Sequence, residues 1–138
     1  MNQNTTTVST MARHIAALDT DAELDLSAEF TFDPSDALAV TMTVSSVDGP
    51  VVWTFARELL IDGQYQPTGD GDVHVWPCLS ASGDAVVIVE LDSPAGETML
   101  QFPSRDVQEF VAASLATVPL GAEEIDVDAW LEQLLTEA

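Results

Sequence analysis

Leu24-Asp25-Leu26-Ser27-Ala28-Glu29-Phe30-Thr31-Phe32, followed after a short break by Leu38-Ala39-Val40-Thr41-Met42-Thr43-Val44, decides the fold class. In both runs every second residue is apolar and its neighbours are mostly polar, the period of a strand whose side chains point to opposite faces of a sheet. One face is therefore dry and the other wet. Between the runs, Asp33-Pro34-Ser35-Asp36 has turn chemistry. Proline presets φ, and the aspartates can accept hydrogen bonds from nearby backbone amides. Two half-buried strands joined this closely make an antiparallel pair.

Downstream, Asp48-Gly49-Pro50 marks a second turn, and Val51, Trp53 and Phe55 alternate along a third strand, so the sheet grows as a meander. Residues 56–61 read as a short helical turn stopped by Asp62-Gly63. Residues 66–71 form a proline and glycine loop, and extended structure resumes at Val73 until Pro77 is expected to end it. The nearly uninterrupted apolar run over residues 85–91 predicts a central, fully buried strand. Ser93-Pro94-Ala95-Gly96 then turns the chain into a strand over residues 98–102. Upstream, residues 8–18 fit either period, and the alternation of Met11, Arg13, Ile15 and Ala17 favours a strand.

After residue 102 the pattern becomes helical. Ser104 is placed as an N-cap, and Val107, Phe110, Val111 and Leu115 follow at helical spacing until Val118-Pro119-Leu120-Gly121. A last amphipathic helix, capped by Asp126, is expected to carry Val127, Trp130, Leu131, Leu134 and Leu135 on one stripe. Strands followed by two C-terminal helices predict an α+β fold, with helices packed on a mostly antiparallel sheet. Residues 1–6 read as a flexible polar arm and residues 7–138 as one domain.

The composition narrows function by exclusion. The chain carries 24 acidic residues against Arg13, Arg57 and Arg105, with no lysine, for a net charge of −21. Nucleic-acid binding draws its affinity from cations that displace counterions from phosphates, and three scattered arginines cannot supply that footprint. Docking on anionic lipid fails for the same reason. One cysteine, Cys78, excludes an intrachain disulfide and a thiolate zinc cluster, and fits a reducing cytoplasm. Neither a signal-peptide core nor an apolar run of spanning length is present.

Catalytic constellations were sought and none stands out. His14 and His74 are far apart and lack a paired ligand spacing, so both are expected to be structural or surface residues and no metal site is expected. Asp70-Gly71-Asp72 opens like a calcium loop, but Val75 stands where that loop needs glycine and Ala81 where it needs a bidentate glutamate. Gly69 and Gly71 begin a dinucleotide-like spacing that ends on His74 in the wrong context. Cys78 has no histidine or cation beside it in sequence to stabilise a thiolate. No cofactor is expected, and the chain reads as a protein that holds other proteins.

One stretch carries more specific information. Trp53-Thr54-Phe55-Ala56-Arg57-Glu58-Leu59-Leu60, then Gly63, then Pro67-Thr68-Gly69-Asp70-Gly71-Asp72-Val73-His74-Val75-Trp76-Pro77 resembles the signature of the SsgA-like family of actinomycete sporulation and cell division proteins. Ser93-Pro94-Ala95-Gly96 and Val118-Pro119-Leu120-Gly121 match further family turns. Where the family often has Asp-Pro-Tyr-Ala-Val, this chain has Asp36-Ala37-Leu38-Ala39-Val40. The resemblance implies a Whirly-like fold assembled as an oligomer, a trimer. It also implies an adaptor role at the division septum, with the tubulin-like GTPase FtsZ and division proteins such as SsgA as partners.

In the matched stretch, Trp53, Phe55, Val73, Val75 and Trp76 are read as core, and Gly69 and Gly71 as residues permitting backbone angles that side chains forbid. Arg57 is read as a structural ion-pair partner, to Asp62 or Asp72, and as a candidate partner-binding residue.

Overall fold

The computed structural model describes residues 5–15, 24–94 and 96–122. Among these, the strands are β1 (Thr6–Ile15), β2 (Leu24–Phe32), β3 (Ala39–Ser46), β4 (Gly49–Ala56), β5 (Thr68–Asp70), β6 (Val73–Leu79), β7 (Ala85–Ser93) and β8 (Gly96–Pro103). The helices are α1 (Arg57–Gly63) and α2 (Ser104–Thr117). The strands form one sheet in the order β4-β3-β2-β1-β8-β7-β6-β5, with every neighbouring pair antiparallel. The α+β reading holds, and α2 follows the last strand. The continuation of the first segment to residue 18 and the expected helix around residues 126–135 lie outside the described residues, as do residues 1–4.

Period-two alternation places the core. Ala28, Phe30, Phe32, Val40, Met42, Val44 and Phe55 are buried on one sheet face, with Val73, Val75, Val87, Val89, Leu91, Leu100 and Phe102 from the other strands. Onto that face α2 lays Val107, Phe110 and Val111, and α1 lays Leu59 and Leu60. Phe30 sits at the centre, 4.9 Å from the Phe102 ring and 5.5 Å from that of Phe110. The apolar run of β7 reflects burial on both faces: Val87, Val89 and Leu91 enter the core, while Val86 and Ile88 are also buried on the opposite side.

The sheet consists of two four-stranded halves. Among the described residues, β1 pairs with β2 over nine residue pairs and with β8 over three, Arg13↔Gln101, His14↔Leu100 and Ile15↔Met99. Pairing stops where β8 reaches Phe102 and Pro103; proline has no N–H to donate, and the chain turns into α2 at Ser104. The sheet therefore parts beside Met11 and Pro103.

Four local expectations change. Pro77 does not end its strand: β6 continues to Leu79, with Pro77 opposite Val87. Beyond Val75 that strand has no partner on its β5 side among the described residues, and an open edge tolerates a missing donor. Thr68–Asp70, read as loop, forms the short edge strand β5. Ser104 is the first helical residue and not the cap; the cap position is held by Pro103, without a side-chain hydrogen bond. Gly63 belongs to α1, and its role is close approach, since a Cβ there would stand 2.3 Å from Val75 Cγ1.

Candidate functional site, an arginine-lined groove

Where the two halves of the sheet part, the outer face opens into a groove of about 720 Å³. Its walls come from β1 and β2, from the β6–β7 turn and from the start of α2. Arg13 and Arg105, distant in sequence, both line it, with Met11, Asp25, Gln101 and Gln108 among the other walls. Arg13 Nε donates to Asp25 Oδ1 at 3.0 Å, a cross-strand pair fixed by the Arg13↔Asp25 register. The Arg105 side chain is 88% exposed and its Nε lies 3.8 Å from Asp106 Oδ1. Met11 adds an apolar side chain that is about half exposed. The groove thus gathers both solvent-reaching arginines of a chain whose net charge is −21.

The third arginine is placed differently. Arg57 is 2% exposed. Its Nη1 donates to the carbonyls of Ser114 at 3.2 Å and Val118 at 2.7 Å, and its guanidinium carbon lies 4.8 Å from the centroid of Phe32. The Ser114 carbonyl also accepts from Val118 N–H, and carbonyls at a helix C-terminus carry partial negative charge, so the buried guanidinium adds a charged donor at the end of α2. At the other end, Thr10 Oγ1 donates to Asp106 Oδ2 at 2.7 Å. Asp106 lies in the first turn of α2, where a carboxylate complements the helix dipole. Side chains from β1 and α1 thereby fix both ends of α2, and with them the groove wall that carries Arg105.

The remaining predicted residues divide by strand parity. Phe55, Val73 and Val75 are buried in the core and Trp53 packs against it half-buried, as read. Trp76 is one residue out of phase with Val73 and Val75, stands on the opposite face, and lines a smaller pocket with His74 and Glu90. That parity was visible in the sequence. Gly71 has φ +61°, a left-handed angle that favours glycine, whereas Gly69 provides space: a Cβ there would stand 2.2 Å from His74 Cδ2. Cys78 is exposed on β6. Sequence reasoning did not find that Arg13 and Arg105 share a site, because β1 and α2 are distant in sequence and meet only in the fold.

The fold and sequence define a class, the sporulation-specific cell division proteins. SsgB from Streptomyces coelicolor is 38% identical over 96% of this chain and 98% of its own length. SsgB from Frankia casuarinae is 39% identical over 83% of this chain and 81% of its own. A solved structure of an SsgA-like sporulation-specific cell division protein from Thermobifida fusca superposes with a TM-score of 0.82 at 30% identity, covering 96% of this chain and 98% of that one. Residues 26–123 match the family described as Streptomyces sporulation and cell division protein, SsgA. The chain belongs to the SsgA family, and its resemblance to SsgB extends over most of its length. Among the described residues, no helix is long and apolar enough to cross a membrane.

Proposed function

We propose that the chain is a non-enzymatic adaptor of sporulation-specific cell division that recruits and positions FtsZ at future septum sites. It acts alongside division proteins such as SsgA, from the cytoplasm and as a homotrimer. Its relatives' role in sporulation division supports the setting. The observation that carries the binding mode is the groove holding Arg13 and Arg105. Each of these cations has a carboxylate beside it, Asp25 and Asp106, so the groove has little net charge of its own. It offers directional donors and an apolar floor, and little long-range attraction. Arg57 contributes to partner binding from inside, by fixing where α2 ends. A net charge of −21 disfavours the single-strand nucleic-acid binding that a Whirly-like fold would suggest.

Co-sedimentation with polymerising FtsZ tests this reading, with a charge-matched acidic protein as control. The chain should pellet with polymer and the control should not. An R13E/R105E double variant should bind roughly tenfold more weakly, about 1.4 kcal/mol. Binding should change little between low and high salt, because the local contacts are nearly neutral. Equal pelleting of chain and control, or a steep loss with salt, would overturn the reading. A monomeric mass by light scattering would remove the trimer.

A further inference from the structure

The outer face carries a second cluster, remote from the groove, at the β5 end of the sheet. Antiparallel pairing sets His74 on β6 directly opposite Glu90 on β7. Asp92 lies two residues beyond Glu90 and so on the same face. One ligand atom from each of the three side chains lies within 4.8 Å of the other two. His74 Nδ1 is 3.8 Å from Glu90 Oε1, too far for a hydrogen bond. His74 Nδ1 and Asp92 Oδ1 are both buried and have no hydrogen-bond partner among the described residues. Such atoms cost on the order of 1–3 kcal/mol each when left unpaired. Two such atoms in one cluster of ligand-bearing side chains point to a bound partner.

The imidazole is held from its other side. Gly69 stands opposite His74 in the β5–β6 pairing, and a Cβ there would meet Cδ2 at 2.2 Å and Nε2 at 2.8 Å. Only a residue without a side chain lets the ring keep this position. Beside it a pocket of about 360 Å³, lined by Pro67, Thr68, Gly69, His74, Trp76 and Glu90, admits water.

We propose that His74, Glu90 and Asp92 bind a divalent cation of the zinc class. The ligands are one imidazole nitrogen and one oxygen from each carboxylate, and water from the pocket completes the coordination. Zinc takes such N and O donors at about 2.0–2.2 Å in tetrahedral geometry, which sets ligand atoms roughly 3.4 Å apart. The ion supplies the missing partner of both buried atoms and offsets the repulsion between Glu90 and Asp92. Magnesium and calcium prefer all-oxygen sites and rank below zinc here. The sequence concealed the cluster because its ligands sit on two strands and meet only through their register.

Zinc chloride titrated into the full chain by calorimetry tests the site, with H74Q, E90Q, D92N, G69A and C78S alongside. One zinc per chain should bind at micromolar concentration. H74Q, E90Q and D92N should each weaken binding roughly tenfold or more. G69A, which displaces the ring, should weaken it as well, and C78S should leave it unchanged. No stoichiometric binding to the native chain overturns the proposal. So does binding that survives H74Q, which would place the ion on the acidic surface at large, or binding lost in C78S, which would make the thiol the ligand. If H74Q fails to fold, imidazole nitrogen NMR of the native chain decides: zinc must shift His74 Nδ1 and spare His14, and the reverse overturns the site.

Discussion

Arg57 is the residue on which the most structure depends. It is the third residue of the Phe55-Ala56-Arg57 segment that leads from β4 into α1, and its guanidinium crosses to carbonyls 57 and 61 positions later. Replacing it by methionine preserves bulk against Phe32 but leaves the Ser114 and Val118 carbonyls without this donor. We expect R57M to lose about 2–4 kcal/mol in urea unfolding, from charge-assisted hydrogen bonds and the cation–π contact. R57K should recover only part of that, since an ammonium cannot reproduce the flat guanidinium stacked on a ring. Unfolding unchanged in R57M would show that the end of α2 is held by other means. The sequence marked Arg57 as unusual and suggested aspartate partners. The Ser114 and Val118 carbonyls are main-chain groups that leave no trace in residue identity, so these two contacts could not be read.

For the elements, legibility followed side-chain period. β2, β3 and β4 alternate cleanly and were read nearly to the residue, and the apolar run of β7 was read as a buried strand. β5 escaped because a three-residue edge strand containing glycine has no period to show, and β6 was cut short because an open edge admits Pro77. The start of α2 was misread for a similar reason. Ser104 has the chemistry of a cap, but the anchoring contact comes from Thr10 on β1. S104A should therefore change stability by no more than about 0.5 kcal/mol. T10V, which removes the hydroxyl donor and leaves the partly buried Asp106 carboxylate short of a partner, should cost about 1–3 kcal/mol. Thermal or urea melts of the two variants decide the order, and a larger loss in S104A would restore the cap reading.

At the scale of the whole molecule, charge dominates. With a net charge of −21, the folded chain repels itself more than its extended form does. Raising ionic strength from about 0.01 M to 0.15 M shrinks the screening length from about 30 Å to 8 Å. The melting temperature should therefore rise with sodium chloride, and a flat or falling salt series would count against self-repulsion as a stability term. The expectation that nucleic acid is not a partner rests on this charge alone. The groove did need a structure, because it exists only where β1 leaves β8.

The parting of β1 from β8 beside Met11 and Pro103 has a mechanical consequence. Within the halves, β1–β2 and β7–β8 are laced by long antiparallel ladders, whereas among the described residues the halves are stitched by the short β1–β8 pairing and spanned by α2. The groove lies across that stitching, with Arg13 on one half and Gln101 on the other. Whatever is gripped there is held at the fulcrum of two levers. A pull on it is delivered as torque on the seam, and not as stretch along a strand.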